Sequence, residues 1–233
     1  MFNYSENDLI EQPAIEIFKS LGYSHLNCFD ETFGNNSTLG RETSSDVVLI
    51  SKLKPALLKL NRDLPAEAIN KAIDIITADR SILNPAVANK EIYKLIKEGV
   101  KVSFRNKSAK GGDEEVEEVV KVIDFEHPEE NDFFLASQFW VTGDLYKRRP
   151  DLVVFVNGIP LGLIELKGTH RKLENAFNDN LKDYKDTIPQ ILWYNAFIIL
   201  SNGSESKIGT ITSDWEHFAE WKKINSEGEE GVV

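Results

Sequence analysis

Apolar positions over the first hundred residues recur at helical spacing. Leu9, Ile10, Ile15, Ile17 and Phe18 predict a helix over 5–21, with Ser5 as N-cap, Gly22 as its stop and Pro13 as a point of kinking. The polar stretch 24–43, carrying Gly34, Asn35, Asn36 and Gly40, reads as a loop. Two more helices follow over 46–60 and 65–78, split by Asn61-Arg62-Asp63, and a shorter one over 90–98 ends at Gly99. From there the pattern changes to short apolar runs. Residues 100–104 predict a strand, a KSAKGGDE turn follows, and the alternation over 116–125 fits an exposed or edge strand. Further strands are expected over 133–141, 152–156, 159–167 and 196–200, with an edge strand over 208–211. Asn157-Gly158 between two apolar runs is a hairpin signal. Amphipathic helices are expected over 171–187 and 214–223, and the tail 226–233 reads as disordered or as the start of a linker.

A hairpin, then a helix, then a buried strand implies a mixed sheet with a crossover helix. Both faces of 152–156 are apolar, which suits a central strand covered on two sides. The expected class is therefore α/β: a helical N-terminal part, 1–99, and a mixed-sheet core, 100–225. At 233 residues and 41% hydrophobic the chain can bury a sizeable core. It has no basic, apolar leader and no run of the ~20 apolar residues that a membrane span needs. Cys28 is the single cysteine, so no disulfide forms within the chain, and the cytoplasm is the expected location.

The net charge of −11 argues against nucleic acid at first sight. Residues 113–130 alone hold nine acids and one lysine, which leaves only about −3 for the rest. That acidic stretch reads as a solvated hairpin. A domain that handles DNA by itself is nonetheless usually basic, since phosphate contacts supply much of the affinity.

Asp151, Glu165 and Lys167 stand out. Asp151 sits where the basic loop Lys147-Arg148-Arg149-Pro150 turns into an apolar strand, and Glu165 and Lys167 interrupt the apolar run 159–167. Burying such charges costs several kcal/mol unless they are paired or bind a metal. Glu165 and Lys167, two apart, share a strand face. Register decides where Asp151 points: a plain two-residue turn sets it opposite Ile164, facing away, whereas a one-residue bulge sets it opposite Glu165. The bulged register is expected. The residues alone leave two readings, a structural ion-pair cluster or a metal site. Two carboxylates on one face suit a hard divalent cation such as Mg²⁺, with Mn²⁺ as a substitute. A nearby ammonium could then stabilise charge growing on a phosphodiester.

The spacing Pro150-Asp151, thirteen residues, then Glu165-Leu166-Lys167 resembles the signature of the PD-(D/E)XK nucleases. The wider text resembles the N-terminal nuclease part of the type I restriction R subunit more specifically: RRPDLVVFVNGIPLGLIELK at 148–167, IPQILWYNAFIILSNG at 188–203 and WEHFAEW at 215–221. The likeness runs from about Ser5 to Trp221. It implies a restriction-endonuclease-like fold and a Mg²⁺-dependent endonuclease, with Asp151, Glu165 and the Leu166 carbonyl on the metal and Lys167 as catalytic lysine. A glutamate of the first helix, Glu6 or failing that Glu11, would join them. The family's Gln-x-x-x-Tyr motif corresponds to Asn180-x-x-x-Tyr184, with asparagine where glutamine is expected. Arg148, Arg149, Asn180 and Tyr184 would touch double-stranded DNA. The expected partners are methyltransferase and specificity subunits. ATP would be handled by motor domains, since no Gly-x-x-x-x-Gly-Lys-Ser/Thr loop occurs here. A non-catalytic module with the same fold, or a freestanding repair nuclease, are the rival readings.

Overall fold

The computed structural model describes residues 10–107 and 113–221. Helix α1 (Gln12–Ser20) carries Pro13 in its first turn, where proline is tolerated, so no kink arises there. Ser5 and Glu6 lie outside the described residues. Helix α3 (Ala66–Thr77) falls where helical spacing placed it, while α2 (Ile50–Leu60) begins four residues later and α4 (Pro85–Glu98) five residues earlier than expected. Helix α3 buries Ala68, Ile69, Ala72, Ile73 and Ile76, a continuous stripe at three- and four-residue spacing. Asn84 caps α4 by accepting from the Ala86 amide at 2.9 Å.

The central sheet has seven strands, in the order β1 (Ser24–Asn27), β4 (Phe133–Ser137), β7 (Leu152–Val156), β8 (Ile159–Leu166), β9 (Phe197–Ser201), β10 (Ser206–Gly209) and β11 (Ala219–Glu220). Strand β1 runs parallel to β4 and β8 parallel to β9, while the other neighbours are antiparallel. The mixed sheet is flanked by helices on both faces, as the restriction-endonuclease-like expectation requires. Two small ribbons stand apart: β2 (Val100–Lys107) with β3 (Asp113–Val120), and β5 (Val141–Thr142) with β6 (Lys147–Arg148). The acidic residues 113–120 thus form one arm of a hairpin.

Several elements differ from the sequence expectation. Ser24–Asn27, read as loop, is an edge strand; with Leu26 its only aliphatic residue, it shows no period-two pattern. The run 133–141 breaks after Ser137, because Gln138 turns to a left-handed φ of 55°. The alternation over 116–125 is paired only as far as Val120. Over 171–187 the chain winds first as a π-helix, Ala176–Leu181, then as α5 (Lys182–Thr187). The helix expected over 214–223 is a single 3-10 turn, Trp215–His217, followed by β11. There Trp215 and Phe218 lie against Phe177, with Phe218 edge-on at 5.5 Å, and ring packing overrides the helical spacing. The tail lies outside the described residues.

Strands β7 and β8 are buried on both faces, and their residues alternate between two cores. Leu152, Val154, Ile164 and Leu166 pack with Ile15 of α1. Val153, Phe155 and Leu163 pack on the opposite face with α2, α3, α4 and the 176–184 segment. The odd-numbered positions of the hairpin therefore face the π-helical side.

Candidate active site

The hairpin turn is the two-residue one that Asn157-Gly158 implies, both residues having positive φ (50° and 77°). Val156 pairs with Ile159 and Phe155 with Pro160. Leu161 is then left out of the pairing, and from Val154–Gly162 to Leu152–Ile164 the register has moved by one. One step further along brings Asp151 beside Glu165. The bulge thus supplies the register expected for a shared site, in combination with the tight turn rather than in place of it.

The side chains meet accordingly. The Asp151 amide donates to Glu165 Oε1 at 3.3 Å, and the Leu166 amide donates to Asp151 Oδ2 at 2.8 Å. Glu165 has no solvent exposure. Burial, then the charge of Asp151, push its carboxyl pKa well above 4.5. Lys167, on the same strand face, donates to Asn180 Oδ1 at 2.6 Å, and Asn180 Nδ2 donates to Glu165 Oε2 at 2.8 Å. Asn180 is a bridge between ammonium and carboxylate. It reaches both because the π-helical winding turns residue 180 onto the end of β8; such segments recur at functional sites. Tyr184 is buried beside the pair, its hydroxyl accepting from Asn180 Nδ2 at 3.4 Å, and burial followed by the Glu165 charge raises its pKa.

Glu11 is buried, and its Oε2 accepts from Gln138 Nε2 at 2.7 Å. The Gln138 amide in turn donates to the Asp151 carbonyl at 2.8 Å. The first helix therefore does send a carboxylate to the Asp151 strand, by way of a glutamine that no sequence signal marked. Among the described residues no three or more His, Cys, Asp and Glu side chains gather as a ready metal cage. Asp151 and Glu165 still fit a hard cation. Two oxygen donors share one end of a hairpin, and one of them is so desolvated that it calls for a proton or a cation.

Residues 3–217 match the family described as Type I restriction enzyme R protein N terminus. The chain belongs to this family. It is 34% identical over 238 residues to a putative type I restriction enzyme MjaIXP endonuclease subunit of Methanocaldococcus jannaschii, covering 98% of this chain and 22% of that protein. It is 33% identical over 225 residues to the type I restriction enzyme HindI endonuclease subunit of Haemophilus influenzae, covering 95% and 20%. A Staphylococcus saprophyticus relative, the type I restriction enzyme SsaAORF53P endonuclease subunit, is 32% identical over 104 residues. The chain thus spans about a fifth of the length of the first two relatives (22% and 20%).

Elsewhere in this R-protein N-terminal domain, Arg148 grips Asp183, its Nη2 donating to Oδ1 at 2.8 Å and its Nε to Oδ2. The bond holds the Asp183 carboxyl below its ordinary pKa. Arg149 lies instead over the rings of Phe29 and Trp140. The sequence could not separate these two neighbours, because Asp183 lies 35 positions from Arg148 and Phe29 lies 120 from Arg149. Cys28 is buried and its thiol is pushed up to about 12, so it offers no nucleophile. No helix among the described residues is long and apolar enough to cross a membrane.

Proposed function

We propose that this domain is a divalent-metal-dependent endonuclease that hydrolyses DNA phosphodiesters within a type I restriction–modification complex. One observation carries the reading: the bulged hairpin sets the Asp151 and Glu165 carboxylates side by side, with Lys167 held to Glu165 through Asn180. Asp151 and Glu165 would hold Mg²⁺ or Mn²⁺, with the Leu166 carbonyl as third donor. The ion would act as a Lewis acid and lower the pKa of a bound water. Lys167 would donate to a non-bridging phosphate oxygen as charge builds there, its direction set by Asn180. Tyr184 would keep Glu165 in place, and Glu11 would take the outer side of the site through Gln138. Glu6, five positions before Glu11 in the sequence, would be the other candidate for that carboxylate.

The family supports the setting. Its longer relatives are endonuclease subunits, so DNA, methyltransferase and specificity subunits, and ATP-driven motor domains beyond this chain, belong to the proposal. Calorimetric titration with Mn²⁺ tests it. The wild-type chain should bind the ion, and Asp151→Ala should abolish binding while leaving the fold intact by circular dichroism. No binding by the wild type would mean a domain with the nuclease shape and no nuclease chemistry.

A further inference from the structure

The three cations that lead into Asp151 have different surroundings. Arg148 is neutralised by Asp183. The Arg148 guanidinium lies over the Tyr146 ring as well, and Lys147 and Arg149 alternate with it on a separate set of rings. Lys147 Nζ is 4.4 Å from the Trp140 centroid and 5.9 Å from that of Phe33. Arg149 Cζ is 4.7 Å from the Phe29 centroid and 5.0 Å from that of Trp140. The rack is itself fixed, because Trp140 Nε1 donates to the Phe29 carbonyl at 3.0 Å. Among the described residues neither Lys147 nor Arg149 forms an ion pair. Glu31, whose carboxyl feels the Lys147 charge, is sealed in the interior on Arg41 at 2.8 Å.

The geometry points to Lys147 and Arg149, braced on Trp140, Phe29 and Phe33, as the binding site for the phosphodiester backbone of the DNA strand that enters the catalytic hairpin. This rests on the nuclease reading above and adds where the strand runs. A cation over a ring face is held in place without giving up its N–H donors, and a stacked guanidinium still presents its edge to a phosphate. Ordering these long side chains beforehand removes part of the entropy loss on binding. Fully extended backbone advances at most about 3.3–3.6 Å per residue, so Arg149 stands no more than about 7 Å from Asp151 and Lys147 no more than about twice that. Phe29, 52% exposed, borders Arg149 and can cover a sugar or base without reading sequence. Arg148, its charge already matched, has no part in this contact.

NMR titration of the full chain with a short DNA duplex and with its single strand, in Ca²⁺ at low salt, reads the site directly. The Trp140 indole N–H resonance should shift on adding either DNA. Arg149→Ala and Lys147→Ala should each weaken the response at least several-fold and lower the slope of log affinity against log salt by about 1. Arg149→Lys should keep it, and Arg148→Ala should leave the slope unchanged. An unmoved Trp140 resonance at millimolar DNA overturns the assignment, as does an Arg148→Ala loss equal to that of Arg149→Ala. The two readings fail separately. Arg149→Ala should still bind Mn²⁺, and Asp151→Ala, having lost Mn²⁺, should still show the Trp140 shift.

Discussion

Glu165 is a carboxyl that prefers its proton. Below about 4.5 it is protonated in folded and unfolded chains alike, and nothing changes with pH. Above that value the unfolded chain releases the proton while the folded one keeps it. Stability without metal should therefore fall as pH rises, until the folded-state pKa is passed. Thermal melts in EDTA from pH 4.5 upward should show this decline, and Glu165→Gln should flatten it. Mn²⁺ should reverse it in the wild type alone. Asn180 gives a second prediction. Asn180→Ala removes the bridge between Lys167 and Glu165 without touching either, and groups that orient metal-binding side chains are typically worth about 10–100-fold in affinity or activity. On the proposed function, DNA cleavage by a restriction complex carrying this change should drop by that order, at nearly unchanged melting temperature. The trio itself was legible in the sequence because charges inside an apolar strand require a reason. The place of Asn180 was not: its i, i+4 relation to Tyr184 marked a shared face, but only the π-helical winding aims that face inward.

At the scale of elements, local signals were read well and non-local ones poorly. Helices α2, α3 and α4 and the β7–β8 hairpin announce themselves through spacing, proline, asparagine and glycine. Strand β1 depends on a partner 110 residues away, Ser24 against Phe134, and has almost no signal of its own. The Gln138 break belongs to the same class, since it follows from the meeting of Glu11, Asp151 and the chain turn. Gly158 shows how tightly the hairpin is tied to its surroundings. The Leu49 amide donates to the Gly158 carbonyl at 2.8 Å, and a Cβ on Gly158 would lie 2.4 Å from the Leu49 carbonyl oxygen. Gly158→Ala meets that clash at a φ of 77° as well, so a loss of about 1–3 kcal/mol is expected in urea melts.

At the scale of the whole molecule, charge and size agree. A chain of net charge −11 is ill suited to capturing DNA unaided, and its relatives are about five times as long. The isolated chain should nick supercoiled plasmid far more slowly than the complete complex under the same Mg²⁺ and salt, and the deficit should widen as salt rises; equal rates in a gel-based nicking assay would refute this. The bulge at Leu161 has a wider consequence. The same two-fold alternation that sends Leu152 and Ile164 toward Ile15 sends Asp151 and Glu165 to the reverse side. Losing or gaining one residue there would not merely part Asp151 from Glu165. It would thrust acidic groups into oil on one flank and strip the other of its grease. Packing and the meeting of the two acids thus hang on one and the same residue count.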